Sequence, residues 1–165
     1  MRIRFTALLL VIALSACSPL KQRHEIEQNP DLKFVMLQSS QMFDVIADQA
    51  LTVDQKERIL VEKFDAGMAR WKGTKGYGRL YNADDFSTKP GALYAAIVNF
   101  YNGQNEIGKT IPYYEMAAQE ALDNDLYGVY LQYQHVTHSA TIKLGNFEKA
   151  HFILQQTSEN LSEYF

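Results

Sequence analysis

The spacing of apolar residues most constrains this fold, because they recur at steps of three and four through most of the chain after position 30. That period places them on one face of a helix. Pro30 stops a helix from starting earlier, and Asp31 suits the positive N-terminal end. The sequence therefore predicts a first helix over residues 31–50. Its inward positions are Leu32, Val35, Ser39, Met42, Phe43, Ile46 and Ala50.

A capping box predicts the start of a second helix shortly after the first. The Thr52 hydroxyl can accept from a free amide of the first turn, and Gln55 can reach back to Thr52. The helix is expected over residues 53–71. Its inward residues are Ile59, Leu60, Phe64, Met68 and Trp71. Two helices with a short break predict a helical hairpin over residues 31–71.

The C-terminal half predicts four more helices. Asn102-Gly103 ends a helix over residues 92–101, and Thr110 is the expected N-cap of the next. A fifth helix is expected over 125–144 and a sixth over 147–161, with Gly145 and Asn146 at the turn. The apolar set of the fourth helix is Ile111, Tyr114, Ala117, Ala118, Ala121 and Leu122. The predicted fold class is all-α, with about six helices in one domain over residues 31–165.

Residues 72–91 form the predicted irregular centre. They contain Gly73, Gly76, Gly78, Pro90, Gly91 and the pair Asp84-Asp85. Long loops in compact domains are uncommon and often functional. The aspartate pair has two interpretations, a catalytic or calcium site and a solvated turn before a helix, and no third carboxylate at ligand spacing supports the first. Leu80-Tyr81 and Phe86 are expected to pin the loop to the core.

Charge and cysteine content exclude several classes of protein. The chain has 16 Lys and Arg against 19 Asp and Glu, and this acidic balance argues against a nucleic-acid partner. Its 165 residues suit one domain. Cys17 is the only cysteine, so no disulfide is expected to hold the fold.

The N-terminal 16 residues have the pattern of a secretory signal peptide. Arg2 and Arg4 precede an apolar run over residues 5–14, and two small residues precede Cys17. The apolar run is too short to span a bilayer as a stable helix. An ordinary cleaved signal followed by a chance cysteine is the plainer alternative.

The ending Leu14-Ser15-Ala16-Cys17 resembles the lipobox of bacterial lipoproteins. The resemblance implies cleavage before Cys17 and acylation of the cysteine, with chains such as palmitate. Two or three acyl chains make such an anchor effectively permanent. Residues 17–30 are then the lipidated N-terminus and a polar tether. Ser18 after the cysteine favours, by the same resemblance, the outer membrane, with the inner membrane or the cell surface as alternatives.

Two C-terminal segments, residues 108–117 and 144–154, resemble the second half of a tetratricopeptide (TPR) repeat. Each has a glycine turn and then small, large and small residues: Thr110, Tyr114 and Ala117 in the first, and Ala150, Leu154 and Thr157 in the second. The two registers are 40 residues apart instead of 34. The resemblance implies a right-handed stack of TPR-like hairpins over residues 92–165.

The segment from Ala50 to Asp54, followed by Leu60 and Glu62, is similar to the opening of the NlpI-type TPR lipoproteins. In that family, adaptors of the outer membrane gather peptidoglycan hydrolases and a protease. The resemblance implies an adaptor role, in which a concave groove is lined by the first helix of each hairpin. The groove residues expected here are Tyr94, Asn99, Tyr101, Tyr127, Tyr130, Gln134 and His138. The alternative is that most of the tyrosines belong to the core or are scattered over the surface.

No residue pattern predicts catalysis, a cofactor or a metal site. Cys17 is committed to lipid. His135, His138 and His151 have no carboxylate at a matching step to orient them, and groove or surface positions are the plainer interpretation. The carboxylates Glu25, Glu27, Glu57 and Glu62 do not form a glycosidase pair, and the glycines of the 72–91 loop lack a phosphate-binding Lys-Ser or Lys-Thr.

These observations lead to three hypotheses of different class. The first is a lipid-anchored, non-catalytic adaptor or assembly factor that faces the periplasm and binds one or more envelope proteins. The second is an inhibitor or immunity-type lipoprotein that blocks one toxin or lytic enzyme with the 72–91 loop. The third, an envelope hydrolase, lacks a catalytic constellation.

Overall fold

The computed structural model describes residues 29–73 and 89–162, and every regular element in those two ranges is a helix. The all-α fold class is therefore confirmed. We number the six helices in chain order: α1 Pro30–Ala47, α2 Val53–Gly73, α3 Pro90–Gly103, α4 Ile107–Leu122, α5 Tyr127–Lys143 and α6 Phe147–Ser162. They pack together in a helical-repeat-like arrangement. The predicted lipobox and residues 74–88 of the predicted loop lie outside the described ranges.

The N-terminal hairpin begins and turns at side-chain caps. Asn29 accepts from the amide of Asp31 at 2.8 Å, so the N-cap lies one residue before Pro30. The predicted capping box is present: the Thr52 amide donates to Gln55 Oε1 at 2.9 Å, and the Gln55 amide donates to Thr52 Oγ1 at 3.3 Å.

The first helix is shorter than predicted, because it ends at Ala47 and not at Ala50. The Asp48 carboxylate accepts from the amide of Ala50 at 2.8 Å, which offers the backbone an alternative to another helical turn. Phe43, predicted to face inward, is an exposed side chain of α1.

Helix α3 is the centre of the core. It contacts α1, α2 and α4, and its buried residues are Pro90, Gly91, Leu93, Tyr94, Ala96, Ile97, Val98, Phe100 and Tyr101. Helix α2 packs tightly on α3 at Gly67, where an added Cβ would lie 2.7 Å from Leu93 Cδ1. A helix that is apolar on most of its faces is typical of such a central position.

Helices α2 and α4 run parallel to each other, with α3 packed against both. Three contacts connect α2 and α4, and the residue numbers of the contacting pairs increase along both helices. Glu57 pairs with Lys109 at 2.8 Å, the rings of Phe64 and Tyr113 meet edge to face at 5.1 Å, and Trp71 donates to Glu120 at 2.6 Å. Alternate helices of a helical repeat have this parallel relation, because successive hairpins stack on one another.

Three consecutive turns between helices share one geometry and recur every twenty residues. In each, a residue with positive φ donates to the carbonyl three residues earlier, and the next residue donates to the carbonyl five residues earlier, as in a Schellman motif. The positive-φ residues are Asn105 at 60°, Asp125 at 58° and Gly145 at 74°. Two such units make the 40-residue spacing seen in the sequence.

Because of these turns, two helices begin at other residues than predicted. Helix α4 begins at Ile107, three residues before the predicted cap, and the buried Thr110 hydroxyl donates to the carbonyl of Ile107 inside the helix. Helix α5 begins at Tyr127 because Asp125 occupies the positive-φ position of the turn. The prediction for the last turn is confirmed: the amide of Lys149 donates to Asn146 Oδ1 at 3.1 Å.

The shared turn geometry predicts opposite effects at matched positions. Gly145→Ala is expected to destabilise the protein by about 1 kcal/mol, because an L side chain is strained at positive φ. Asn105→Gly and Asp125→Gly are expected to leave stability unchanged or raise it slightly, since glycine relieves that strain. Urea unfolding measures all three. A Gly145→Ala variant as stable as the parent would contradict this account of the turns.

Among the described residues, no helix is both long enough and apolar enough to cross a membrane.

Candidate functional site

A cleft lies between α2 and α4, over Tyr94 of α3. Its volume is about 500 Å³, within the range of ligand-binding pockets. The floor is apolar and aromatic, and the rim is polar. The lining residues are Phe64, Asp65, Met68, Ala69, Lys72, Tyr94, Met116, Gln119, Glu120 and Asp123.

Glu120 is a buried carboxylate on the wall of this cleft, with only 6% of its surface exposed. Its Oε1 atom accepts from Trp71 Nε1 at 2.6 Å, and the side-chain nitrogen Nδ2 of Asn124 lies 3.4 Å from the same oxygen. Among the described residues, no donor reaches Oε2. A buried carboxylate is costly unless its oxygens are hydrogen-bonded or paired, so this oxygen has spare capacity for a donor.

Tyr94 is a second buried polar group on the same cleft. Its side chain is 2% exposed, and its hydroxyl has no hydrogen bond to another described residue. Burial raises the pKa of the Tyr94 phenol, and the charges of Glu120 and Tyr133 raise it further. Tyr94 is therefore a neutral phenol that can both donate and accept.

Among the described residues that line the cleft, negative charge predominates. Asp65 and Asp123 are exposed on its rim and, with Glu120, make three carboxylates, against the one ammonium of Lys72. Clefts lined by one sign of charge concentrate ligands of the opposite sign. The geometry favours a ligand with an apolar stem and a positively charged hydrogen-bond donor.

The seven predicted groove residues do not form one open surface. Tyr94, Tyr101 and Tyr130 are core residues, as the alternative interpretation held for tyrosines. The Tyr130 hydroxyl accepts from Gln134 at 3.0 Å and from Asn160 at 2.9 Å, which ties α5 to α6. Asn99 is exposed, and three residues are half-buried on α5: Tyr127, Gln134 and His138.

Tyr101 belongs to a cluster at one end of the α2–α4 pair. Its hydroxyl donates to Glu57 at 3.0 Å, and Lys109 donates to the same carboxylate at 2.8 Å. The Lys109 hydrogen bond lowers the pKa of Glu57. Hydrogen bonds to Glu57 and Glu106 raise the pKa of Lys109 to about 12. The cluster links α2, α3 and α4 through hydrogen bonds and an ion pair.

Glu57→Gln is expected to lower stability slightly near neutral pH, because the carboxylate loses its attraction to Lys109. Since folding lowers the pKa of Glu57 below 4.5, its contribution is present above that pH and disappears as the pH falls through the folded-state value. The melting temperatures of the parent and Glu57→Gln should therefore converge in acid and in high salt. A difference that persists at low pH would contradict this assignment.

A second cleft of about 320 Å³ lies among α3, α4 and α5, and none of the seven predicted groove residues lines it. Its lining includes Asn102, Tyr114, His135, Ser139 and Lys143. His135 lines this cleft and His138 does not, and no cluster of three His, Cys, Asp or Glu residues suited to a metal occurs within residues 29–73 and 89–162.

Helix α6 buries Ala150 and Ile153 but leaves large apolar side chains in water. Phe147 is 68% exposed and Leu154 is 53% exposed, and Phe152 is also exposed. Phe147 and Leu154 are seven residues apart, two helical turns, so they lie on the same face of α6, and we call these two residues the α6 outer surface. The matching TPR-like position in α4, Tyr114, packs near Tyr133 of the following helix with ring centroids 6.4 Å apart. No further described helix follows α6 to cover Leu154.

Comparison with known proteins gives no family for this chain. No family model, curated protein or solved structure matches it. The function is therefore argued from the clefts, charges and exposed surfaces.

Sequence reasoning missed the cleft at Glu120. The available signal was a carboxylate within the alanine-rich stretch of α4, three residues after Ala117 and next to Ala121. A charged residue beside the buried apolar face of a helix costs free energy unless it is hydrogen-bonded or paired, by the protein or by a ligand. The partner, Trp71, is 49 residues away in the sequence, so only the fold reveals the pair.

Proposed function

We propose that this chain is a lipid-anchored, non-catalytic adaptor or assembly factor of the bacterial cell envelope that binds other proteins. The observation that carries the proposal is the α6 outer surface. Phe147 and Leu154 leave a large part of their apolar surface exposed on the same face of α6, and an exposed apolar helix face is typical of an interaction site. The helical-repeat-like fold supports the proposal, since stacked helices present extended surfaces to partners.

The α6 outer surface is proposed to contact the partner protein where a further hairpin of a repeat would pack. A photo-crosslinking amino acid at Phe147 or Leu154 is expected to capture the same envelope protein. Met36 of α1 is the matched control, because it is 49% exposed and apolar but lies on the other hairpin. Capture from Met36 alone, or from none of the three positions, would count against the proposal.

The proposed anchor is an acyl-modified Cys17, with the domain facing the periplasm at the outer membrane. Its support is the lipobox-like sequence Leu14-Ser15-Ala16-Cys17 and the position of the chain's single cysteine. Labelling with a palmitate analogue is expected to mark the parent chain but not Cys17→Ser. The variant should keep its signal peptide and leave the outer-membrane fraction. Unchanged processing and fractionation would refute the anchor.

A further inference from the structure

The α2–α4 cleft has the features of a built site for a cation. Two side chains more than nine-tenths buried, Glu120 and Tyr94, line it with unused hydrogen-bonding capacity. The ring of Tyr94 packs in the core and Glu120 Oε1 accepts from Trp71, but the Tyr94 hydroxyl and Glu120 Oε2 have no hydrogen-bond partner among the described residues. Each is costly to bury without a donor or acceptor from a ligand or solvent.

The polar groups specify the charge of the ligand. A carboxylate such as that of Glu120 accepts hydrogen bonds and donates none, so Oε2 requires a donor; the Tyr94 hydroxyl of the same cleft can also accept. The rim carboxylates of Asp65 and Asp123 add attraction for a cation. An ammonium or a guanidinium is a positively charged hydrogen-bond donor and therefore has the matching chemistry.

The floor of the cleft specifies the rest of the ligand. Phe64, Met68 and Tyr94 line it, and the rings of Phe64 and Tyr94 meet edge to face at 5.2 Å. An aromatic and thioether floor suits the methylene stem of a lysine or arginine, whose charged end then reaches the carboxylate.

We propose that the α2–α4 cleft binds a lysine or arginine side chain of a partner protein, with its charged nitrogen between Glu120 and Tyr94. The inference rests on the proposed adaptor function for the partner being a protein, and it deepens that function by naming the chemistry recognised. The cleft is separate from the α6 outer surface, so each can be tested without the other.

The test uses the full-length protein in a nonionic detergent and short Gly-Ser-Ala peptides with one central arginine, lysine, citrulline or glutamate. Trp71, the only tryptophan, donates directly to Glu120, so its fluorescence reports occupancy. The arginine and lysine peptides are expected to bind, and binding should weaken with salt. The neutral citrulline peptide should bind at least about tenfold more weakly, and the glutamate peptide should not bind.

Variants locate the site. Glu120→Gln keeps an oxygen for Trp71 but removes the charge, and it is expected to weaken the arginine peptide at least about tenfold. Tyr94→Phe should weaken it less. Asp123→Asn should also weaken binding of the arginine peptide. Because Asp123 is exposed on the rim, this variant still tests the site if Glu120→Gln fails to fold. Glu148→Gln, exposed on α6, is the matched control and should bind like the parent.

Three outcomes would overturn the proposal. They are equal binding of the citrulline and arginine peptides, unchanged affinity in a folded Glu120→Gln variant, and equal affinity for butylamine, which would indicate a small-amine pocket instead. If crosslinking from the α6 outer surface captures a partner while the peptides fail to bind, the adaptor function stands and this inference fails. If the peptides bind but no partner is crosslinked from the α6 outer surface, the chemistry assigned to the cleft stands and the proposed role of the α6 outer surface fails.

Discussion

Ile97→Ala is expected to destabilise the protein by about 2–5 kcal/mol, the usual cost of truncating a fully buried isoleucine. Ile97 has no exposed surface and lies on α3, which contacts α1, α2 and α4. The loss combines the removed apolar contacts with the cavity that remains between these helices. Because α3 is shared by the N-terminal hairpin and the C-terminal helices, both parts are expected to unfold together.

Ile142→Ala on α5 is the matched control, since this isoleucine is 41% exposed. It should change stability by less than about 0.5 kcal/mol. Urea unfolding followed by circular dichroism and by Trp71 fluorescence compares the whole chain with the N-terminal hairpin. Non-coincident transitions in the Ile97→Ala variant would show that α3 does not join one cooperative core.

The helices themselves were predictable because their signals are local. The step of three and four residues identified the buried faces of α2 and α4, and the Thr52–Gln55 box and the Gly145-Asn146 turn were each confirmed. Errors arose where two local signals compete. At Thr110, a residue type that favours a cap instead bonds the preceding turn within the helix, because the turn at Asn105 had already started it.

The candidate site was not predictable, because it depends on contacts between distant residues. Tyrosines were expected on a groove since they suit binding surfaces, yet Tyr101 and Tyr130 instead connect helices by hydrogen bonds of their hydroxyl groups. Leu154 shows the opposite error. Leu154 is the large residue of the TPR-like pattern, which packs on the following hairpin in a repeat. Because α6 is the last described helix, no described helix covers Leu154 and its side chain is exposed.

Trp71→Phe is expected to destabilise the protein by about 2–4 kcal/mol. The substitution removes the indole donor at 2.6 Å from Glu120 Oε1 and also leaves space in the core at a nearly fully buried position. The carboxylate would then keep only the 3.4 Å contact with Asn124 among the described residues. Removing only the donor leaves a buried carboxylate oxygen unsatisfied, which costs more stability than removing both partners of the hydrogen bond. The loss of stability in Trp71→Phe should therefore exceed the net contribution of the hydrogen bond.

A double-mutant cycle separates the two causes. In Trp71→Phe/Glu120→Met the carboxylate is absent as well, so only the packing loss should remain. Its destabilisation is expected to fall short of the sum of the single variants by about 1 kcal/mol or more. Thermal unfolding by circular dichroism measures each variant, since Trp71→Phe has no fluorescence reporter. Additivity within about 0.5 kcal/mol would mean that the indole acts by its volume alone and that the Glu120 carboxylate finds its donors elsewhere.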